Sequence, residues 1–227
     1  MKENYSPVYG VRPWLVCEDL PEVAALFRTE GTPFEVSRRT IIDLGQDASV
    51  YWIEDGMIGT YPAADGSWSY IAGLFGPNTV LGSVRALGHP GKKMALIASA
   101  FCDVRGYRLP TAQYRAWVAA DPIRNREMLE NCIGKTECQL EGSFVSGTCL
   151  VPERLLQAFR VLFAAARIPD DAEFAELPWN FSVTDLSQLV HAERGMVSRA
   201  ISAWVRLGLC EKRGRHLYIS RQLFAPG

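Results

Sequence analysis

The sequence lacks the marks of several protein classes. Its six cysteines, at positions 17, 102, 132, 138, 149 and 210, include no C-x-x-C pair, which argues against a zinc ribbon. No nucleophile elbow, P-loop or HExxH motif is present, so no common enzyme signature appears. No apolar run is long enough to span a bilayer, and the first residues contain no signal-peptide core. We therefore expect a cytoplasmic protein with no membrane partner.

Positive charge is concentrated near the C-terminus. The whole chain of 227 residues has a net charge of −1, and its length allows one large domain or two modest ones. From His191 to Arg221, however, seven Lys or Arg residues accompany two Glu residues, a local charge of +5. A basic region in a nearly neutral chain is typical of a nucleic-acid-binding surface.

The same region predicts two short helices joined by a tight turn. Ser182, followed three residues later by Asp185, has the spacing of a capping box at the start of the first helix. The chain turns at His191 and Ala192. Glu193 then stands where a second helix begins, and its carboxylate favours the positive end of that helix.

Helical periodicity divides the second helix into two faces. The apolar face consists of Val197, Ala200, Ile201 and Trp204. The opposite face, which we predict to contact DNA, consists of Arg194, Gly195, Ser198, Arg199, Ser202 and Arg206. Guanidinium groups on such a face suit bidentate pairing with the O6/N7 edge of guanine in the major groove. Taken alone, the pattern fits an ordinary solvated helix equally well.

The residues after this helix favour DNA binding. Residues 209–219 read as two short strands around a basic glycine turn, which is the pattern of a wing. Lys212, Arg213 and Arg215 lie in this segment, and we predict that they contact DNA as well. A helix-turn-helix followed by a wing is therefore the interpretation that the C-terminal segment supports best.

The rest of the chain divides into two further segments. Short β-rich runs and turn residues alternate between Thr32 and Leu109, a texture typical of an antiparallel sandwich or barrel. A helical period then predicts a long helix over 123–147, ending before a hinge at Val151-Pro152. We expect three units: residues 1–120 as a sensing domain, 121–150 as a long helix, and 151–227 as a DNA-binding domain.

The long helix carries a heptad-like apolar seam that needs a partner. The seam consists of Leu129, Ile133, Thr136, Leu140 and Phe144. It would pack either against the protein's own barrel or against a second copy across a two-fold axis, and we favour the symmetric dimer.

This order of elements resembles the Crp/Fnr family of bacterial transcription regulators. The resemblance is carried by Gly45-Gln46-x-Ala48-x-Val50-Tyr51-Trp52-Ile53-x-x-Gly56, Asp65-Gly66, Gly76-x-x-x-x-Leu81-Gly82 and Val197-Ser198-Arg199. It implies an α+β fold with an N-terminal antiparallel β-roll (a double-stranded β-helix), a long dimerisation helix and a C-terminal winged helix-turn-helix. It also implies a homodimer on a pseudo-palindromic operator in double-stranded DNA, control by a small-molecule or redox effector in the β-roll, and contact with RNA polymerase.

By the same resemblance, the effector site lies between the β-roll and the long helix. The residues assigned to it are Gly82, Ser83, Lys92, Lys93, Tyr70, Thr136 and Leu140. Members that bind a cyclic nucleotide carry Gly-Glu and, about ten residues later, Arg-Ser or Arg-Thr. Here Gly82-Ser83 and Lys92-Lys93 stand at those places, so cyclic AMP is not expected. The two lysines leave open the possibility of another anionic ligand.

Other effectors remain open, and the cofactor is unknown. The barrel's aromatic residues suit an apolar ligand, and His89 is the only histidine there that could ligate haem. Cys132 and Cys138 are either a redox pair across the two-fold axis or buried inert thiols. Cys17 stands alone near the N-terminus, which does not match the cysteine cluster of iron–sulfur members.

Two other classes of function are weighed against a regulator. A cupin-type metalloenzyme would need several histidines and a carboxylate inside the barrel, where only His89 lies. A protein-interaction module with an inactive winged helix would not need to keep Arg194, Arg199 and the basic wing. We therefore expect a DNA-binding regulator and not an enzyme.

Overall fold

The computed structural model describes residues 7–62, 70–88, 96–169 and 173–224. It confirms the predicted order of a β-rich segment, a long helix and a winged helical segment. None of the helices in these ranges combines the length and the apolar character that crossing a membrane requires.

The β-rich segment is a roll of two antiparallel sheets. Its strands are β1 (Thr32–Val36), β2 (Ile41–Asp43), β3 (Ser49–Asp55), β4 (Ile58–Pro62), β5 (Gly73–Phe75), β6 (Thr79–Leu81), β7 (Leu96–Ala100) and β8 (Val104–Pro110). One four-stranded sheet has the order β1-β8-β3-β6, and the other has the order β2-β7-β4-β5. The predicted antiparallel β-roll is therefore confirmed.

Alternation along β3 shows why this strand is buried on both faces. Tyr51 and Ile53 point into the core between the two sheets. Val50 and Trp52 point the other way, into a second core under the helices that flank the roll. Trp52 lies against Phe27 of the first helix, with ring centroids 6.2 Å apart. The sheet thus holds a core on each side, as side chains that alternate along a strand allow.

Three helices flank the roll: α1 (Pro21–Glu30), α2 (Ser83–Leu87) and α3 (Thr111–Ala119). The long helix α4 (Pro122–Thr148) follows, close to the predicted range of 123–147. Asp121 caps its first turn, since its carboxylate accepts hydrogen bonds from the backbone N–H of Ile123 (2.8 Å) and Arg124 (3.3 Å). At the other end, Cys149 and Leu150 are extended, and Pro152 lies in the first turn of the next helix.

Residues 7–20, called the N-terminal strap below, run along α4. Trp14 is completely buried, and its backbone N–H donates to the carbonyl of Cys138 at 2.9 Å. A Cβ atom at Gly142 would lie 2.3 Å from Cδ1 of Trp14. Only glycine therefore lets the indole lie directly on the helix. The strap also pairs with β5, because the Leu74 N–H donates to the carbonyl of Trp14 at 2.8 Å.

The core of the C-terminal segment lies around two packed helices and continues into the roll through Phe101 and Ile71. Its elements are α5 (Val151–Ala165), β9 (Phe174–Glu176), α6 (Val183–Leu189), α7 (Arg194–Arg206), β10 (Cys210–Arg213) and β11 (His216–Ser220). The strands form one antiparallel sheet in the order β10-β11-β9. Phe159 of α5 packs on Trp204 of α7 with ring centroids 5.9 Å apart. Together these elements form the predicted winged helix-turn-helix.

Candidate DNA-binding interface and effector cavity

The capping box at the start of α6 forms as the sequence predicts. The Ser182 hydroxyl accepts a hydrogen bond from the Asp185 backbone N–H at 3.1 Å. In return, the Asp185 carboxylate accepts one from the Ser182 N–H at 2.8 Å. The capping box thereby pairs two backbone N–H donors that the start of a helix would otherwise leave unsatisfied. The residue at which α6 begins is therefore set by its own local sequence.

The turn between α6 and α7 is tight because His191 adopts a left-handed conformation, with φ of 49°. Glu193 is the residue before the first turn of α7, as predicted, but its side chain accepts no capping hydrogen bond. Its carboxylate contributes only through its charge near the positive end of the helix.

Helix α7 has one buried and one exposed face. Val197, Ile201 and Trp204 are buried in the domain core, and Ala200 packs against it. On the opposite face Arg194, Gly195, Arg199 and Arg206 are exposed, and Ser198 and Ser202 are partly buried. The structure thus brings all six predicted residues to one side of one helix.

The arginines on this face are available to a partner. Within the described part of the chain, the guanidinium groups of Arg194, Arg199 and Arg206 make no hydrogen bond or ion pair. Glycine at position 195 keeps the helix surface low between them, with only Arg199 Nη1 within 4 Å of where a Cβ would lie. A row of unpaired arginines on a rigid helix fits the shape and charge of a major groove.

The three basic residues of the wing are all exposed, but they differ in the contacts that their side chains make. Gly214, with φ of 62°, makes the turn between β10 and β11. Lys212 is exposed next to this turn, and Arg215 is exposed within it. Arg213 is also exposed, but its guanidinium pairs with Glu211 (2.6 Å) and lies over the Tyr218 ring at 4.3 Å. The Arg213 side chain is therefore already held within the wing.

The predicted seam on α4 lies open to solvent in the single chain. Leu129, Ile133, Leu140 and Phe144 are between 41% and 58% exposed. Thr136 lies on the same face, and its hydroxyl donates to the Cys132 carbonyl at 2.9 Å. The alternative, in which this stripe packs against the protein's own barrel, is wrong. A separate stripe on the opposite side of α4 packs against the roll and the strap.

Cys132 and Cys138 belong to that buried stripe and not to the exposed seam. Burial raises the pKa of Cys132 and raises the pKa of Cys138 to about 11. Both thiols are therefore neutral near pH 7 and are poor nucleophiles. Their position agrees with the interpretation as buried thiols.

A small cavity of about 60 Å³ lies between the roll and α4. Gly82, one of the predicted effector-site residues, lines it, and Gln139 closes it from α4. Thr136 and Leu140 point to the exposed seam instead. Lys92, Lys93 and His89 lie outside the described residues. The other cavity-lining residues are Leu44, Thr60, Phe75, Leu81, Val84, Arg85 and Leu96.

Two further residues of the predicted effector site make other contacts. Ser83 is completely buried, and its hydroxyl donates to the Val80 carbonyl at 3.1 Å. Tyr70 packs against His191 of the helix-turn-helix, with ring centroids 4.7 Å apart and ring planes tilted by 54°. Neither side chain lines the cavity.

The sequence does not predict the buried ion pair that lies beside Ser83. Lys135 of α4 and Asp19 of the strap are both fully buried, with Nζ and Oδ2 2.6 Å apart. Lys135 also donates to the Ser83 hydroxyl (2.9 Å) and to the Val80 carbonyl (3.3 Å). This lysine therefore ties α4 to the strap and to α2. The one available signal is its helical spacing from Cys132 and Cys138, on the same buried stripe.

The helix-turn-helix docks on the roll through its turn. The Gln188 carbonyl accepts a hydrogen bond from the Ile71 N–H at 3.1 Å, and His191 Nε2 donates to the Ile71 carbonyl at 3.1 Å. Phe181 stacks on Phe101 of the roll, with centroids 4.4 Å apart. These contacts fix the winged helix-turn-helix without covering the arginine face of α7.

The described residues contain no group of three or more His, Cys, Asp and Glu side chains placed to hold a metal ion.

The whole fold matches solved structures of transcription regulators. FixK2 from Bradyrhizobium japonicum is 19% identical, with a TM-score of 0.69 over 86% of this chain and 96% of that chain. CLP from Xanthomonas campestris is 15% identical, with a TM-score of 0.67 over 86% and 97%. A CRP/FNR-family regulator from Thermus thermophilus, TTHA1359, is 16% identical, with a TM-score of 0.62 over 86% and 100%.

No family sequence model and no curated protein matches the sequence. The likeness is therefore one of structure. The chain has the fold of the Crp/Fnr regulators, and it covers nearly their full length.

Proposed function

We propose that this protein is a dimeric, DNA-binding transcription regulator of the Crp/Fnr family. The observation that carries the proposal is the face of α7, where Arg194, Arg199 and Arg206 are exposed opposite a buried apolar face. The structural likeness to known regulators supports it. The helix would enter the major groove, and the wing would contact the phosphate backbone.

The exposed seam of α4 supports a homodimer. Its four large apolar side chains cost free energy while they face water, and pairing with a second copy across a two-fold axis removes that cost. Two copies of α7 would then be held in a fixed relation to each other. Such a dimer reads a pseudo-palindromic operator whose half-sites are one helical turn apart, about 34 Å.

The basic residues divide into two roles in this proposal. Arg194 and Arg199 stand near the N-terminal end of α7, the end that reaches base edges in helix-turn-helix proteins. Gly195, Ser198 and Ser202 let the backbone approach the groove. Arg206, Lys212, Arg213 and Arg215 are assigned to phosphates, and contacts of that kind set affinity without reading sequence.

The experiment is to select operators from random duplexes and then to measure affinity by fluorescence anisotropy at several salt concentrations. Arg194→Ala should lose ~1–3 kcal/mol of binding free energy and relax the preference at one base pair. Lys212→Ala should weaken binding to all DNA sequences alike and reduce the dependence of the affinity on salt concentration. The matched control is Arg105→Ala, since Arg105 is an exposed arginine of the roll that pairs with Asp55.

Two results would contradict the proposal. One is a protein that is monomeric and shows no attraction to any duplex at low salt. The other is an Arg194→Ala variant that binds the selected operator as tightly as the parent chain, which would remove base reading from this helix.

We further propose that a small molecule controls the regulator and that this molecule is not cyclic AMP. At the place where cyclic-nucleotide-binding members carry a glutamate, Ser83 is buried and engaged by Lys135. The cavity between the roll and α4 measures only about 60 Å³, well below the ~300 Å³ at which ligand pockets usually begin. CLP, by comparison, is described as responsive to c-di-GMP. Contact with RNA polymerase belongs to the same proposal.

A further inference from the structure

A larger cavity lies beside α4, under the strap. It measures about 310 Å³ and is called the strap cavity below. Its walls come from the strap, from the turn at Gly76 and Pro77 between β5 and β6, from α4, and from Ala164 and Ala165 in the last turn of α5. The strap cavity opens to solvent at Gly10, Arg12 and Glu18, which are exposed, and its volume is at the lower end of the size range of small-molecule sites.

The strap is anchored on both sides of the strap cavity. On one side, Trp14 is buried against Gly142 and is hydrogen-bonded to the Cys138 carbonyl. On the other side, Asp19 forms the buried pair with Lys135, and its backbone N–H donates to the Asn78 carbonyl at 2.8 Å. The strap segment between these anchors forms one wall, so the cavity exists before a ligand arrives.

The walls are apolar over most of their area. Val11, Leu15, Val16, Pro77, Ala164 and Ala165 supply aliphatic surface. Cys17 and Cys138 also line the cavity, and burial raises the pKa of both thiols. They are therefore neutral at pH 7 and behave as small, weakly polar groups. A ligand body in contact with these walls should be apolar.

The charged groups leave one cation without a partner. Glu18 lies at the cavity, but Asn78 Nδ2 (3.3 Å) and Arg167 (3.4 Å) already contact its carboxylate. Arg12 also lines the cavity, and among the described residues its guanidinium has no hydrogen-bond or ion-pair partner. Because Arg167 offsets Glu18, the remaining charge at this site is positive, and it complements a carboxylate.

We infer that the strap cavity binds a small amphipathic carboxylate, with its apolar body between the strap and α5 and its carboxylate on Arg12. Nothing in the resemblance to Crp/Fnr regulators assigns a ligand to this place, which lies on the opposite side of α4 from the seam. Such a ligand touches both the strap and α5, on which α7 packs through Phe159 and Trp204. An effect of the bound ligand on DNA binding would follow only if the proposed function is right, and this part of the inference rests on it.

The test is calorimetric titration of the full-length protein with octanoate, with 1-octanol as the uncharged probe of the same length. We expect octanoate to bind once per chain. Arg12→Gln should weaken octanoate about tenfold or more, since a hydrogen bond to a charged group is lost, and should leave 1-octanol unchanged. Ala165→Trp should abolish binding of both probes by filling the cavity. Val11→Trp fills it from the strap, should Ala165→Trp fail to fold.

Val84→Trp is the matched control, because Val84 lines the small cavity on the roll and not the strap cavity. It should leave the octanoate titration unchanged. Three results would each overturn the inference. They are a failure of octanoate to bind the parent chain, binding of octanoate by both tryptophan variants, and binding of octanoate by Arg12→Gln as tight as that by the parent chain. The titration contains no DNA, so its outcome is separate from the fate of the proposed function, which the operator measurement decides.

Discussion

Replacing Lys135 by methionine should destabilise the protein more than almost any other single change of a polar residue. Its Nζ lies 2.6 Å from Asp19 Oδ2, and both side chains are inaccessible to solvent. In Lys135→Met, the Asp19 carboxylate keeps one strong contact, the Val80 N–H at 2.6 Å, while its other oxygen has no partner among the described residues. Removing one member of a buried pair costs ~3–5 kcal/mol, a large share of the ~5–15 kcal/mol that stabilises a typical domain.

The loss should also depend on pH in a defined direction. Burial raises the pKa of Asp19, and removing Lys135 raises it further. A carboxyl group whose pKa is higher in the folded state stabilises the fold below its unfolded pKa of ~3.9, and this contribution is lost as pH rises through the folded pKa. Lys135→Met should therefore be less destabilised at pH 5 than at pH 7.

Urea unfolding followed by circular dichroism gives the free energies. Lys212→Met is the matched control, because Lys212 is exposed on the wing and its loss should change stability by less than ~0.5 kcal/mol. The double variant Lys135→Met with Asp19→Leu should recover most of the loss, since an apolar pair of similar size often replaces a buried ion pair without cost. The reasoning is refuted if Lys135→Met unfolds within ~1 kcal/mol of the parent, or if the double variant recovers nothing.

Three other perturbations test separate parts of the fold. Ile133→Glu should give monomers in light scattering, because a charge on the exposed seam opposes pairing; a stable dimer would exclude the seam. Gly142→Ala should lose ~1–3 kcal/mol by clashing with Trp14, whereas Gly147→Ala, with open space around its Cβ, should gain up to ~1 kcal/mol in thermal unfolding. Burial lowers the pKa of His191, so protonation below about pH 6.5 should loosen the docked turn. Amide protection factors in the turn, which correct for the pH dependence of intrinsic exchange, should therefore be lower at pH 5.5 than at pH 7.5; equal protection factors would contradict this.

The winged helix-turn-helix was predictable because its signals are local. Ser182 and Asp185 are three residues apart, and the helix period alone assigns Val197 and Trp204 to the core. The long helix has local signals too, in Asp121 and Pro122 at its start. Capping and periodicity depend only on neighbours in the chain, so one sequence is enough to locate them.

The interactions around α4 were not predictable for the opposite reason. Lys135 and Asp19 are 116 residues apart, and a lysine on a helix ordinarily faces solvent. Gly142 appears in the sequence as a weak point of a helix, but in the structure it is the surface on which Trp14 lies. The exposed seam is the more regular of the helix's two stripes, and it concealed the second stripe, whose glycine and lysine interrupt an apolar pattern.

The docked helix-turn-helix limits how an effector could act. Gln188 and His191 hold the turn against Ile71, yet Arg194 and Arg199 stay exposed on the far face of α7. Docking therefore would not block the proposed DNA contact by one chain, and an effector could not act merely by uncovering this face. In the proposed dimer, an effector would act on the separation and orientation of two copies of α7 across the seam, since half-sites one helical turn apart demand one spacing. A ligand shifts that spacing only by binding one arrangement more tightly than the other, and the strap cavity, in contact with both the roll and α5, is placed to make that difference.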